Sequence, residues 1–333
     1  MKTSRRTEKA DETMSAVRIH RYGGPELLQY EVTPRPEPQP GEVVIRVHAA
    51  GVNPLDWKIR AGSLGEFMRH SFPLIPGWDF SGVVEKTGQG VTRFNKGDHV
   101  YGMGDVSRNG AYAEYTAVRE SVLARKPQSL HHVQAAAVPM AALTAWQSLF
   151  DIAQLQAGQH LLIHAAAGGV GHFAVQLAKW KGAHVTGTAS TTNHKLLCKL
   201  GADELVDYTV VRFESVVSDV DVVLDTIGGD TQERSWKVLK PGGVLVSLVQ
   251  TPSADKARAC GVRAVLAETE PSRTQLAQIA TLIDSGRVKP VIDRILPLSE
   301  ARRAHQLSQS RHMRGKLVLR VTDQNGFAEG SHS

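Results

Sequence analysis

Two textures of apolar and polar residues divide the chain. From residue 16 to about 127, short β-prone runs are broken by glycine: 42–49 (EVVIRVHA), 81–86 (SGVVEK), 98–101 and 111–118 read as strands. Gly41, Gly51, Gly62, Gly77, Gly88, Gly97 and Gly110 recur between them, which suits a small antiparallel β domain. Pro34, Pro36, Pro38 and Pro40 alternate just before the first strong strand and read as an extended connector. Beyond residue 127 strands and helices alternate. Strands are expected at 160–166, 183–189, 205–208, 221–227, 243–249 and 261–267. Helices are expected at 131–138 (Ser129 as N-cap, Pro139 as its end), 143–153, 171–181, 193–200 (stopped by Gly201) and 272–285. The runs LLIHAA, DVVLDTI and GVLVSLV are apolar throughout, as strands buried on both faces of a parallel, doubly wound sheet should be. Residues 288–321 return to strand–helix–strand texture and are too short to stand alone. They are expected to rejoin the first β domain, giving domains at 14–127 with 287–321 and at 128–286, between loose tails at 1–13 and 322–333.

Composition adds bounds. A length of 333 residues suits two domains. Apolar residues at 41% and charged residues at 22% are ordinary for a globular chain, and no apolar run is long enough to span a membrane. The net charge of +6 is spread along the sequence, and aromatic residues (6%) are not interleaved with the basic ones, so nucleic-acid binding gains no support. Cys198 and Cys260 are too few for a disulfide framework or a cysteine-rich zinc site; a reducing, cytoplasmic setting is expected. Arg5-Arg6 could open a twin-arginine export signal, but no apolar stretch follows, and Met14 is an alternative start.

The most specific local signal is His164-Ala165-Ala166-Ala167-Gly168-Gly169-Val170-Gly171, which leaves a buried strand and enters a helix. Glycine there lets the backbone turn tightly against a pyrophosphate, and the first amides of the helix point at that anion. The strict G-x-G-x-x-G pattern fails at Ala166, but the strand-to-helix context is the one required. Gly168, Gly169, Val170 and Gly171 are therefore expected to bind a dinucleotide. About 20 residues on, an NAD site places an acid on the ribose hydroxyls. Here the chain reads Thr188-Ala189-Ser190-Thr191-Thr192-Asn193-His194-Lys195, with no acid. A carboxylate would repel a 2′-phosphate, whereas Ser190 and Lys195 can bind one, so NADP(H) is the expected cofactor.

Further motifs carry a resemblance. Ala50-Gly51-Val52-Asn53-Pro54-Leu55-Asp56, Pro76-Gly77-Trp78-Asp79 and Gly97-Asp98-His99-Val100 are followed by Leu143-Thr144-Ala145-Trp146, the glycine turn, Leu200-Gly201-Ala202-Asp203, Asp225-Thr226-Ile227-Gly228 and Gly315-Lys316-Leu317-Val318. In this order, over residues 17–321, the chain resembles the medium-chain dehydrogenase/reductases, in their zinc-independent quinone oxidoreductase and enone (alkenal) reductase branch. The resemblance implies an α/β fold: a GroES-like β-barrel domain split around a Rossmann domain, with the active site in the cleft between them. It places Asn53 beside the nicotinamide, with a turn asparagine before proline as the alternative. It puts Lys58 where some quinone reductases carry tyrosine and enone reductases tend to carry lysine. Thr144, Tyr208, Leu248 and Lys316 match cofactor-contacting positions. It also implies a homodimer formed through the edge strand at 261–267.

Zinc-dependent members of that family hold a catalytic metal with Cys, His and Cys. Those places here carry Asn53, Trp78 and Met140, which form no zinc site, so no metal is expected. The substitution bears on the reaction. Zinc lowers a bound water's pKa from about 15.7 to about 7, worth roughly 12 kcal/mol at about 1.36 kcal/mol per unit. One oxyanion-type hydrogen bond supplies only about 3–4 kcal/mol. Alcohol oxidation is therefore disfavoured, while a quinone or α,β-unsaturated carbonyl disperses the incoming charge through conjugation, so positioning and one or two donors suffice.

Asn53 and Lys58 are the candidate catalytic residues. Trp57, Phe67, Trp78 and Tyr101 either line an acceptor pocket or pack the core. His160, His164 and His172 flank the glycine turn as packing or solvent-facing groups, and water is the expected proton source. The expected activity is NADPH-dependent reduction of a small-molecule quinone or enone. An enoyl-thioester reductase and a non-catalytic NADPH-binding protein, crystallin-like or sensory, stand as alternatives.

Overall fold

A computed structural model describes residues 12–65, 68–310 and 313–322. The expected tails lie almost wholly outside these residues, as does Phe67. Thr13, assigned to the tail by sequence, instead opens a strand. β1 (Thr13–Arg18) pairs antiparallel with β2 (Gln29–Pro34) as a two-stranded ribbon.

The first domain is built around β3 (Glu42–Val52), whose residues are nearly all buried. The chain continues through α1 (Pro54–Ala61), β4 (Asp79–Thr87), β5 (His99–Met103), β6 (Tyr115–Arg119) and β7 (Leu123–Arg125). β3 pairs antiparallel with both β4 and β6, and β5 joins β4 to β7.

Two short helices lead out of this domain, α2 (His132–Ala136) and α3 (Pro139–Trp146), the latter running on into a π turn over Gln147–Ile152. Two expectations are corrected here. Proline fits the first helical turn as readily as it ends a helix, and Pro139 starts α3 rather than closing the helix before it. Ser129 is not an N-cap; its amide and hydroxyl donate to the Asp284 carboxylate at 2.9 and 2.7 Å.

The second domain alternates β8 (His160–Ile163), α4 (Gly171–Lys181), β9 (His184–Thr188), α5 (His194–Leu200), β10 (Glu204–Val206), β11 (Val220–Asp225), α6 (Gly229–Ser235), β12 (Leu239–Ser247), α7 (Ala254–Cys260), β13 (Arg263–Leu266) and α8 (Arg273–Asp284). Its six strands are all parallel, in the order β10-β9-β8-β11-β12-β13. The direction of strand addition reverses between β8 and β11, and ligands of such sheets bind outside the strand C-termini at that switch point. The glycine turn follows β8 at this place. The chain then returns through β14 (Ile292–Pro297), α9 (Ala301–Gln309) and β15 (Lys316–Arg320), and β15 pairs antiparallel with β3. Among the described residues no helix is long and apolar enough to cross a membrane.

Candidate functional site

The glycine turn is shaped by close contacts. Ala165 takes a left-handed φ of 49°, which costs an L-residue roughly 1–2 kcal/mol. A side chain at Gly171 would put its Cβ 2.5 Å from the Ala165 carbonyl oxygen and 2.7 Å from Ala166 Cα, so α4 packs this tightly on β8 only because residue 171 is glycine. Among the described residues, the amides of Gly169, Val170 and Gly171 find no protein acceptor. They open α4, where free N–H groups and the helix dipole favour an anion, so these residues fit the diphosphate of a dinucleotide.

Buried histidines brace the turn. The Val291 amide donates to His172 Nε2 at 3.2 Å, so Nδ1 carries the proton and donates to the Gly168 carbonyl at 2.9 Å. Burial holds His172 near pKa 4, and the ring stays neutral. Gln176, one turn on, bonds both the amide and the carbonyl of Lys289. His164 bridges Thr188 and Ser235, and burial likewise pulls it down to about 4. The Gly315 amide donates to the Ala167 carbonyl at 2.8 Å, and the Lys316 stem lies against Gly169. The returning segment is thus fastened directly to the turn.

Lys316 does not extend its ammonium toward the turn. Nζ reaches into the first domain, donating to the Val52 carbonyl at 3.1 Å and to Asn53 Oδ1, and lies 3.7 Å from Asp79 Oδ2. Asn53 Nδ2 donates to Asp79 Oδ2 at 2.9 Å, and the Met140 amide donates to Asp79 Oδ1 at 2.8 Å. The Asn53 amide donates to Asp56 Oδ2, which also accepts the Tyr112 hydroxyl, each at 2.8 Å. This second bond set caps α1 at its N-terminus.

Five buried polar groups therefore meet where β3, β4, α1, α3 and β15 converge. Two fully buried carboxylates share one lysine. Burial pushes Asp56 up to about 7 and raises Asp79, whose rise Lys316 opposes; burial pushes Lys316 down. The Asp56 Oδ1 atom finds no partner among the described residues.

Sequence reasoning gave Asn53 a catalytic role and Lys316 a separate cofactor contact, and the structure joins them to each other. It missed Asp56, Asp79 and Tyr112. The capping spacing Asn53-x-x-Asp56 was available as a signal; for Asp79 and Tyr112 none was. Lys58 lies half-buried on α1. Trp78 and Tyr101 are core residues, with the indole donating to the Arg108 carbonyl and the phenol to the Leu276 carbonyl. Thr144 spends its hydroxyl proton on the Met140 carbonyl and faces Thr269. Leu248 follows β12, its amide on the Asp225 carbonyl.

At the far end of the turn, Ser190 precedes a short helical turn over Thr191–Asn193 and Lys195 stands exposed on α5. Tyr208 is 59% exposed nearby. A carboxylate is present here after all, contributed by the neighbouring strand: Asp207 accepts the amide and hydroxyl of Thr191 and of Thr209. Those bonds hold its carboxyl well below the usual range. A scan along β9 alone overlooks it.

A β domain closed by the last described strand, around a parallel sheet whose switch-point turn faces the seam, defines a two-domain oxidoreductase of nicotinamide dinucleotides. Comparison with known proteins agrees. Residues 39–128 match the family described as alcohol dehydrogenase GroES-like domain, and residues 200–319 match the one described as zinc-binding dehydrogenase. The mitochondrial NAD(P)H oxidoreductase RTN4IP1 of Mus musculus is 34% identical, over 92% of this chain and 89% of its own. The chloroplast envelope quinone oxidoreductase homolog of Arabidopsis thaliana is 33% identical, over 93% and 99%. The crystal structure of Escherichia coli quinone oxidoreductase complexed with NADPH superimposes with a TM-score of 0.84 at 28% identity, over 92% and 100%. The chain belongs to the medium-chain dehydrogenase/reductase superfamily, in its zinc-independent quinone oxidoreductase branch, and is an oxidoreductase that uses a nicotinamide cofactor.

The expected cytoplasmic setting is overturned by the same relatives, which are mitochondrial and chloroplastic. Two free cysteines do not distinguish one compartment from another.

Proposed function

We propose that the chain transfers a hydride from NADPH to a quinone or an α,β-unsaturated carbonyl. The observation that carries this reading is the donor set of the cleft. Where zinc-dependent relatives place Cys, His and Cys, this chain has Asn53, Trp78 and Met140, and Asn53 is tied between Asp79 and Lys316. Side chains of this kind offer no cation site to take up an alkoxide's charge. The acceptor must then disperse the charge itself.

When bound, the reduced nicotinamide supplies the hydride. Gly169, Val170 and Gly171 hold the diphosphate through their free amides, Gly168 shapes the turn with its amide on the Ala165 carbonyl, and Leu248 and Thr144 border the nicotinamide half. The network of Asn53, Asp79 and Lys316 fixes the cleft floor beneath the acceptor. Lys58 donates a hydrogen bond to the acceptor's carbonyl oxygen, and solvent supplies the proton.

The preference for NADPH rests on Ser190, Lys195 and Tyr208. Asp207 counts less against it than a free carboxylate would, because Thr191 and Thr209 occupy its oxygens and limit its bonding to ribose hydroxyls. Lys195→Glu should weaken NADPH binding by roughly tenfold or more, the worth of a charge-assisted hydrogen bond, with NADH little affected; unchanged NADPH affinity by fluorescence titration refutes the assignment. Following nicotinamide absorbance with quinones, enones and enoyl thioesters tests the acceptor class, and Lys58→Met should slow carbonyl reduction. We assign residues 14–127 with 287–321 to the catalytic domain and 128–286 to the dinucleotide-binding domain. A homodimer paired through the outer edge of β13 completes the proposal.

A further inference from the structure

At the end of the parallel sheet remote from the glycine turn, three adjacent strands begin with metal-ligating side chains. His160 opens β8, His184 opens β9 and Glu204 opens β10. His160 stands opposite His184 in the ladder, and Glu204 stands opposite Thr186, two residues beyond His184. Residues two apart on a strand share a face, so all four project from one side of the sheet. One ligand atom from each of His160, His184 and Glu204 lies within 4.8 Å of the other two, the one such gathering of three His, Cys, Asp or Glu among the described residues.

The surroundings suit an ion better than a simple surface ion pair. Such a pair needs one histidine, whereas here two imidazoles meet edge to face with centroids 4.9 Å apart. His160 Nε2 faces the Thr186 hydroxyl at 2.8 Å, and that hydroxyl bonds Glu204. His184 Nε2 lies 3.3 Å from Glu204 Oε1, while its Nδ1 lies 3.7 Å from Asp203 Oδ2. Asp203 is itself fixed by Lys179 and the Val185 amide. A carboxylate behind the outer nitrogen is the usual arrangement for orienting a ligating imidazole.

We propose that His160, His184 and Glu204 form a three-ligand site for a divalent first-row transition metal, with Zn²⁺ the reference occupant, that clamps the starts of β8, β9 and β10. Two imidazoles and one carboxylate are a donor set that zinc favours, with water in the fourth position. Tetrahedral zinc at about 2.0–2.1 Å needs donor atoms about 3.4 Å apart. Rotation of the His184 and Glu204 side chains, 43% and 57% exposed, closes the remaining gap. β8 puts roughly 13 Å of strand between His160 and His164, so the ion would brace the sheet without touching the reaction.

Full-length protein stripped of metal and titrated with Co²⁺ should bind one equivalent and develop visible d–d absorption. Saturating Zn²⁺ should raise its melting temperature. His184→Ala and Glu204→Gln should each abolish both effects, and Asp203→Asn should weaken binding about 10- to 100-fold. Absence of stoichiometric binding up to about 1 mM metal overturns the proposal. So does binding undiminished in both ligand variants, which would put the ion elsewhere, for example at the stacked His48, His99 and His132.

Discussion

Lys316 illustrates how much one side chain settles in this cleft. Among the described residues it is the one cation bonded into the cluster of Asn53, Asp56, Asp79 and Tyr112, and both carboxylates are fully buried. Removing one partner of a buried pair leaves an uncompensated charge, at about 3–5 kcal/mol. Lys316→Met should lose stability of that order in urea denaturation, and Asp79→Asn added to it should recover part of the loss. Asp56 sets a pH dependence. Its carboxyl titrates at 3.8 when free of the fold and at about 7 within it, raised by burial. The native state then holds an extra proton between those values, so this group's contribution to stability falls as pH rises through that window. Asp56→Asn should flatten the stability–pH curve there, and an unaltered slope would count against the assignment. Beyond the capping spacing of Asn53 and Asp56, none of this was legible in sequence. Asp56 and Asp79 stood in recognisable motifs, but a motif does not reveal that four separate segments bury them together.

Elements were more legible than residues, where a backbone requirement leaves its mark in residue type. The span of α4 follows from the glycine that lets it start against β8 and the left-handed Gly182 that ends it; Gly201 ends α5 in the same way. Gly171→Ala should test the first requirement. Its Cβ has no room beside Ala165 and Ala166, so overpacking of about 1–3 kcal/mol is expected, with loss of cofactor affinity in a fluorescence titration. An equally tight cofactor complex in the variant would mean the turn can relax. Elements were missed where the pattern is ambiguous. Pro139 is compatible with either end of a helix. β1 and β2 were lost because β2 exposes Tyr30 and Val32 and so shows no clean inward face. Asp207 escaped notice because it follows the strand beside the one being read.

At the scale of the molecule, the switch from glycine-punctuated strands to alternating strands and helices gave the two-domain architecture, since each texture reflects how many faces of a sheet are covered. The address within the cell was not legible, because composition records redox conditions rather than location. The proposed dimer belongs to this scale. β13 is an outer strand of its sheet, with β12 its one strand partner among the described residues. Light scattering should report twice the chain mass, and a charged residue at Val265 should shift that toward the single chain; a monomeric wild type rules the pairing out.

The pairing of β15 with β3 reaches from the last described strand of the chain to one of the first. On the ribosome, β3 is made nearly the whole chain's length before the strand that covers its flank. Throughout that interval the 49–52 end of that edge, which β6 does not reach, stays open to other chains, while the entire parallel sheet has time to form in between. Nascent copies should therefore be most vulnerable to aggregation while the nucleotide domain is already complete, and chaperone attachment should persist until residues 316–320 emerge.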